Sequence, residues 1–177
     1  MISSSVKLGY DPNDPLNGAF THLQNVFGRS DINNGIVKIN ASSTVQNLYN
    51  PVVLRDFTDN LHWYSSSVNG SWYEVDFLQN DFYLKSYIIR DYSWDFFEKW
   101  QVLGSNDGVH FDVVDDVTDF EKPSEDMHNI HFVCKYPKMR RIFRIVANGK
   151  RFYGDYTFVI HRLEFYGMIT SSIRGLC

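Results

Sequence analysis

The chain has 177 residues, enough for one domain, and carries 17 Lys plus Arg against 21 Asp plus Glu, a formal net charge of −4. Aromatics make up 16%, and Val plus Ile number 28 against 14 for Leu plus Ala, a bias toward strands that excludes a helical bundle. An apolar fraction of 44% excludes disorder, and the lack of a basic surplus argues against nucleic acid or an anionic membrane as a partner.

Residues 1–15 are polar, contain Pro12 and Pro15, and read as a flexible lead-in without the apolar core of an export signal. Leu16, Phe20, Leu23 and Phe27 fall at spacings of 4, 3 and 4. That stripe predicts a short helix over 16–28, stopped by Gly28 and plugging one end of a β-structure. Asn33-Asn34-Gly35 predicts a turn, and 36–40 alternates apolar with polar. Residues 72–77 carry aromatics on both parities, which predicts a strand covered on both faces. Further strands are predicted over 83–90, 100–104, 111–114, 130–134, 142–147 and 156–166. Asp107-Gly108 joins the 100–104 and 111–114 strands as a hairpin, and the acidic stretch 115–129, with Pro123, reads as an exposed loop. Short strands divided by turns, with no alternating helices, predict an all-β sandwich.

Motifs for catalysis are missing. Gly104-Ser105-Asn106-Asp107-Gly108 has Asn where a nucleophile elbow needs its nucleophile, and it joins two strands. His128, His131 and Cys134 are three apart, so on a strand they alternate faces and cannot share a metal ion. The run Asp115, Asp116, Asp119, Glu121 fits a solvated loop better than an acid/base pair. Neither an enzyme nor a cofactor is expected. Cys134 reads as a buried strand thiol and Cys177 as the end of a tail, with no positive sign of a disulfide between them. The sequons at Asn40 and Asn69 matter only in an exported chain. The expected setting is therefore reducing and cytoplasmic.

Several segments follow one another in a familiar order: Trp63-Tyr64-Ser65-Ser66, then Trp72-Tyr73-Glu74-Val75-Asp76-Phe77, then Trp100-Gln101-Val102-Leu103-Gly104-Ser105-Asn106-Asp107-Gly108. Phe143-Arg144-Ile145 and Leu163-Glu164-Phe165-Tyr166-Gly167 come after them. Over residues 36–167 the chain resembles a discoidin domain, also called the coagulation-factor type C domain. Residues 16–41 are similar to the helix and turn that precede intracellular protist members. The resemblance implies a jelly-roll, galactose-binding-like β-sandwich with a short N-terminal helix, one domain over 1–177 with 168–177 as a tail. Trp63, Trp72, Trp100, Phe143 and Phe165 would fill its core. Secreted members close this fold with a disulfide, for which no cysteine precedes Cys134. Some relatives hold a structural calcium ion; the acidic run Asp56 to Asp59 would suit it, but Arg162 stands where its carboxylate would be, which argues against calcium.

The resemblance also implies a binding end made of three loops, at 44–51, 62–70 and 91–99. Tyr92, Trp94, Phe96 and Phe97 put four aromatics into six loop residues, and large apolar patches outside a core mark interaction sites. The competing expectation is that Phe97 and one other ring fold back to cap the barrel end. Tyr49, His62 and Tyr64 flank the other loops, and His62, Asn69, Arg90 and Arg151 could donate hydrogen bonds to a sugar. The turn 151–155 is a further candidate rim. The leading expectation is a non-enzymatic recognition module that binds a protein partner inside the cell. The alternative is a lectin-type module for galactose-like glycans at the same loops.

Overall fold

The computed structural model describes residues 3–28, 36–45, 62–124 and 127–172. In chain order they form β1 (Ser3–Leu8), α1 (Ala19–Phe27), β2 (Lys38–Ala41), β3 (Trp63–Tyr64), β4 (Trp72–Asp76) and β5 (Asn80–Tyr92), followed by β6 (Trp100–Ser105), β7 (Asp112–Val117), β8 (Met127–Arg140), β9 (Ile142–Ala147), β10 (Val159–Ile160) and β11 (Arg162–Ser172). Two antiparallel sheets, ordered β1-β11-β5-β8 and β2-β4-β9-β6-β7, face each other, and β10 and β3 form a short ribbon. The all-β sandwich with a short N-terminal helix is thus what the chain adopts. No described helix is long and apolar enough to cross a membrane.

Side-chain alternation builds the core. On β4, Tyr73 and Val75 point inward, and Phe77 follows them in. On β5, Phe82 and Leu84 face inward, then Tyr87 and Ile89, so the inward parity changes between them. One extra residue makes that change possible. Lys85 has no cross-strand partner on either neighbour, because the β5 register with β11 and with β8 shifts there. Phe77, Phe82, Phe143 and Phe165 then pack with ring centroids 5.0–6.4 Å apart. A buried polar chain crosses the core edge: Trp100 Nε1–H donates to Tyr87 Oη at 2.8 Å, and Tyr87 O–H donates to Asp115 at 2.9 Å.

The helix enters as expected, with Phe20 and Leu23 buried and Gly28 ending it at φ 84°. Phe27, the last residue of the stripe, is exposed. The N-terminus of α1 is capped from a distance. Gly18, at the N-cap, has no side chain to offer, and both carboxylate oxygens of Glu164 on β11 accept instead, from the N–H groups of Phe20 (3.1 Å) and Thr21 (2.9 Å). A Cβ on Gly18 would lie 2.5 Å from Glu164 Oε2 and 2.7 Å from the Phe165 carbonyl oxygen, so a glycine is required by the close approach. Burial pushes the Glu164 carboxyl up to about 7, against the pull of Arg162 and these donors.

Four expectations are corrected. Parts of the lead-in and of the tail are strand: Ser3–Leu8 (β1) pairs with the end of β11 from Ser3↔Ser172 to Leu8↔Gly167. Backbone pairing along an edge holds a serine-rich segment that side-chain pattern alone does not mark. The stretch 115–129 is a loop only in its middle, since Asp115 is buried on β7 and Met127 already belongs to β8. Trp72 lies half-buried on the outer face, under the Arg144 guanidinium at 4.2 Å, whereas Trp63, Trp100, Phe143 and Phe165 are core. Arg144 also holds Glu74 through Nε (2.9 Å) and Nη2 (2.7 Å), which explains why both faces of β4 are covered.

Candidate functional site

At one end of the sandwich, β3, β10, the end of β5 and two loops surround a cleft of about 570 Å³. Backbone hydrogen bonds join the loops: Phe152 N–H donates to Phe96 O (2.9 Å) and Tyr153 N–H to Trp94 O (2.8 Å), while Phe97 and Arg151 form an isolated bridge. This pairing decides which aromatic goes where. Tyr92 and Trp94 stack on each other at 4.8 Å with planes 5° apart and line the cleft, Trp94 being 36% exposed. Phe96 and Phe97 turn the other way and are each 3% exposed, against Phe120 and Phe158 respectively. The expectation that all four rings form the binding surface is therefore corrected. Two fold back, as the competing expectation had it.

His62, Tyr64 and Arg151 join Tyr92 and Trp94 in the lining. His62 sits 5.5 Å from Tyr64 and 4.6 Å from the ring of His161. Burial, and then His161, lower its pKa below the ordinary histidine value, so its ring is neutral at pH 7. Asn69 and Arg90 do not line the cleft: Asn69 is exposed on the β3–β4 turn, and Arg90 stays on β5. Tyr49 and the acidic run Asp56 to Asp59 lie outside the described residues, as do Cys177 and the Asn33-Asn34-Gly35 turn. Cys134 is a buried thiol, and burial pushes it up to about 12.

The sequence reading missed the acidic floor of the cleft. Asp91, Asp95 and His161 are buried, and one ligand atom from each lies within 4.8 Å of the others. His161 Nδ1 lies 2.6 Å from Asp91 Oδ1. Burial, with Asp95 alongside, pushes the Asp91 carboxyl well up; burial also raises Asp95 against the pull of Arg151. Arg151 is a strut between two carboxylates. It donates from Nε and Nη2 to Asp155 at 2.6 and 2.9 Å, and from Nη1 to Asp95, which takes three of its five N–H donors. These bonds hold Asp155 down at about 2. The Asp91, Asp95 and His161 set has the donor types for a divalent ion, but Arg151 already engages Asp95 and His161 engages Asp91. Only the position of Asp95 inside an aromatic run signals this floor in the sequence.

No protein-family model and no curated protein sequence matches the chain. Solved structures do. The chain is similar to the CBM32-3 module of a family 31 glycoside hydrolase from Clostridium perfringens (13% identity, TM-score 0.58, 75% of this chain and 91% of that one). It is similar to the family 32 carbohydrate-binding module of NanJ from the same organism, solved with galactose (17%, 0.57, 73% and 93%). A third similar structure is the CBM32 of AlyQ, solved with 4,5-unsaturated mannuronic acid (16%, 0.58, 74% and 95%). The fold is the discoidin-like, galactose-binding β-sandwich. Within it, the cleft occupies one end, where the chain's own loops gather two stacked rings, a neutral imidazole and a braced guanidinium.

Proposed function

We propose that the chain is a carbohydrate-binding module that takes a neutral, galactose-like sugar in the cleft. The supporting observation is the Tyr92–Trp94 stack beside His62, Tyr64 and Arg151. A sugar has one face rich in C–H and a rim of hydroxyls; a flat aromatic pair receives the first, and fixed polar edges receive the second. The similarity to modules solved with galactose and with a mannuronic acid adds weight to a glycan. Charge favours a neutral one. Arg151, the cation of the lining, is already engaged by Asp95 and Asp155, so among the described residues an acidic sugar would find no free cation in the cleft. Arg151 acts as a positioning residue that sets the loop carrying Trp94.

A protein partner on the same loops remains the second reading, favoured only by the exposure of Trp94 and of Tyr153, which stands beside Arg151. Isothermal titration with galactose separates the two. Heat of binding in the wild type that disappears in Trp94→Ala supports the sugar. Absence of heat with galactose and its neutral oligomers, together with a Trp94-dependent protein complex, supports the partner.

A further inference from the structure

A second concavity lies on the outer face of the four-stranded sheet, away from the cleft. It is a groove of about 700 Å³ lined by residues of β1, β11, β5 and β8, among them Lys7, Tyr10, Tyr83, Lys85, His131 and Val133. Three features mark it as more than a dip in a sheet. Its charge is of one sign: Lys7 and Lys85 line it, no carboxylate does, and neither ammonium has an ionic partner among the described residues, in a chain of net charge −4. Its floor holds an unmet polar atom, since His131 Nε2 is buried without a hydrogen-bond partner while the ring stacks on Tyr10 at 3.7 Å. Its shape is built into the backbone, because the bulge at Lys85 sets that side chain outward and Gly167 opposite allows the strands to close. At φ 154° a Cβ there would overlap the Tyr83 carbonyl oxygen.

We propose that this groove is a binding site for a carboxylate-bearing oligosaccharide, separate from the cleft. The acid group sits between Lys7 and Lys85, near the His131 ring that Tyr10 covers, and the sugar rings lie along Tyr10 and Tyr83. The faces of these tyrosines, each 36% exposed, and the exposed Val133 give the flat apolar strip that a small inorganic anion does not need. A peptide adding as a strand would pair at the β1 or β8 edge of the sheet and not lie in the groove, whose middle is β11 and β5, each flanked on both sides. Burial holds His131 below its ordinary pKa, so the groove gains positive charge only when an anion or acid draws a proton there. The assignment does not depend on what occupies the cleft.

The probe is trigalacturonate, with its fully methyl-esterified form and inorganic sulfate as controls, followed by amide shifts in 15N-labelled protein. The expected result is a set of shifts at Gly9, Lys85, Val133 and Gly167 that saturates with trigalacturonate alone. The affinity should fall at least tenfold in Lys7→Ala and in Lys85→Ala and stay within twofold in Trp94→Ala. Equal binding of the methyl ester, equal binding of sulfate, shifts confined to the cleft, or no shifts would each overturn the assignment. Thermal melts of the two lysine variants matching the wild type keep a loss of binding from being read as a loss of fold.

Discussion

The cleft and the groove use charge in opposite ways. In the cleft the charged groups answer one another: Arg151 is tied to Asp95 and Asp155, and His161 to Asp91, across separations of 56 and 70 residues for the two long-range pairs. In the groove the two lysines have no partner within the described protein, and the shape comes from strands and a bulge. Loops need internal struts to hold a site, because their own backbone does not fix it. A sheet face holds its shape through its ladder and can leave its cations free for a ligand. The cleft should therefore be fragile to loss of its struts and indifferent to salt, while the groove should be robust to its lysine substitutions and sensitive to salt.

The largest contrast lies inside one loop. Phe97→Ala should cost roughly 3–5 kcal/mol of stability, as for other buried aromatics, whereas Trp94→Ala should cost below about 1 kcal/mol and abolish sugar binding. Urea unfolding of the two variants checks this, and similar losses of stability would erase the division of that loop into core and site.

Arg151→Ala should follow, at about 3 kcal/mol, because it leaves the buried Asp95 without its counter-charge. Arg151→Lys should recover little of that, since a lysine cannot fork to Asp155. By comparison, Lys7→Ala and Lys85→Ala should change stability by less than about 0.5 kcal/mol. Chemical denaturation of the four variants gives the ranking.

A smaller effect separates the two sites by pH. His62 and His131 both titrate below the ordinary histidine value, His62 through burial and then His161, His131 through burial. A neutral sugar that buries His62 further favours its neutral form, so cleft affinity should be full above pH 6.5 and fall as the pH drops below it. An anion beside His131 favours the charged form, so groove affinity should rise over the same fall in pH until the sugar's own carboxyl protonates near roughly pH 3.5. Titrations of galactose and trigalacturonate at pH 7.5 and 5.5 should move in opposite directions; parallel changes would remove the distinction.

Much of this architecture was legible in the sequence. The 72–77 alternation, the Asp107-Gly108 hairpin and the 16–28 stripe each carry a local signal that the structure keeps, and Tyr92, Trp94, His62, Tyr64 and Arg151 do meet in one cleft. What was hidden depends on partners far along the chain. Ser3 to Leu8 becomes a strand because residues 167–172 lie beside it, and Asp115 is buried because Tyr87 donates to it. Phe96 and Phe97 are indistinguishable from Trp94 as apolar loop residues until the 151–155 turn bonds to their backbone and sets their direction. Asp91 looks like an ordinary polar residue at the start of the 91–99 loop, and His161 like a polar interruption of the 156–166 strand, until the fold pairs them.

The most direct measurement uses the chain's four tryptophans, whose indole N–H signals are resolvable in one 15N spectrum. On titration with galactose, the Trp94 signal should shift and saturate while those of Trp63, Trp72 and Trp100 stay in place, since Trp63 is buried in the core, Trp72 lies under Arg144 on the outer face of β4, and Trp100 donates to Tyr87. A stationary Trp94 signal with galactose and with neutral galactose oligomers would contradict the sugar-binding account of the cleft.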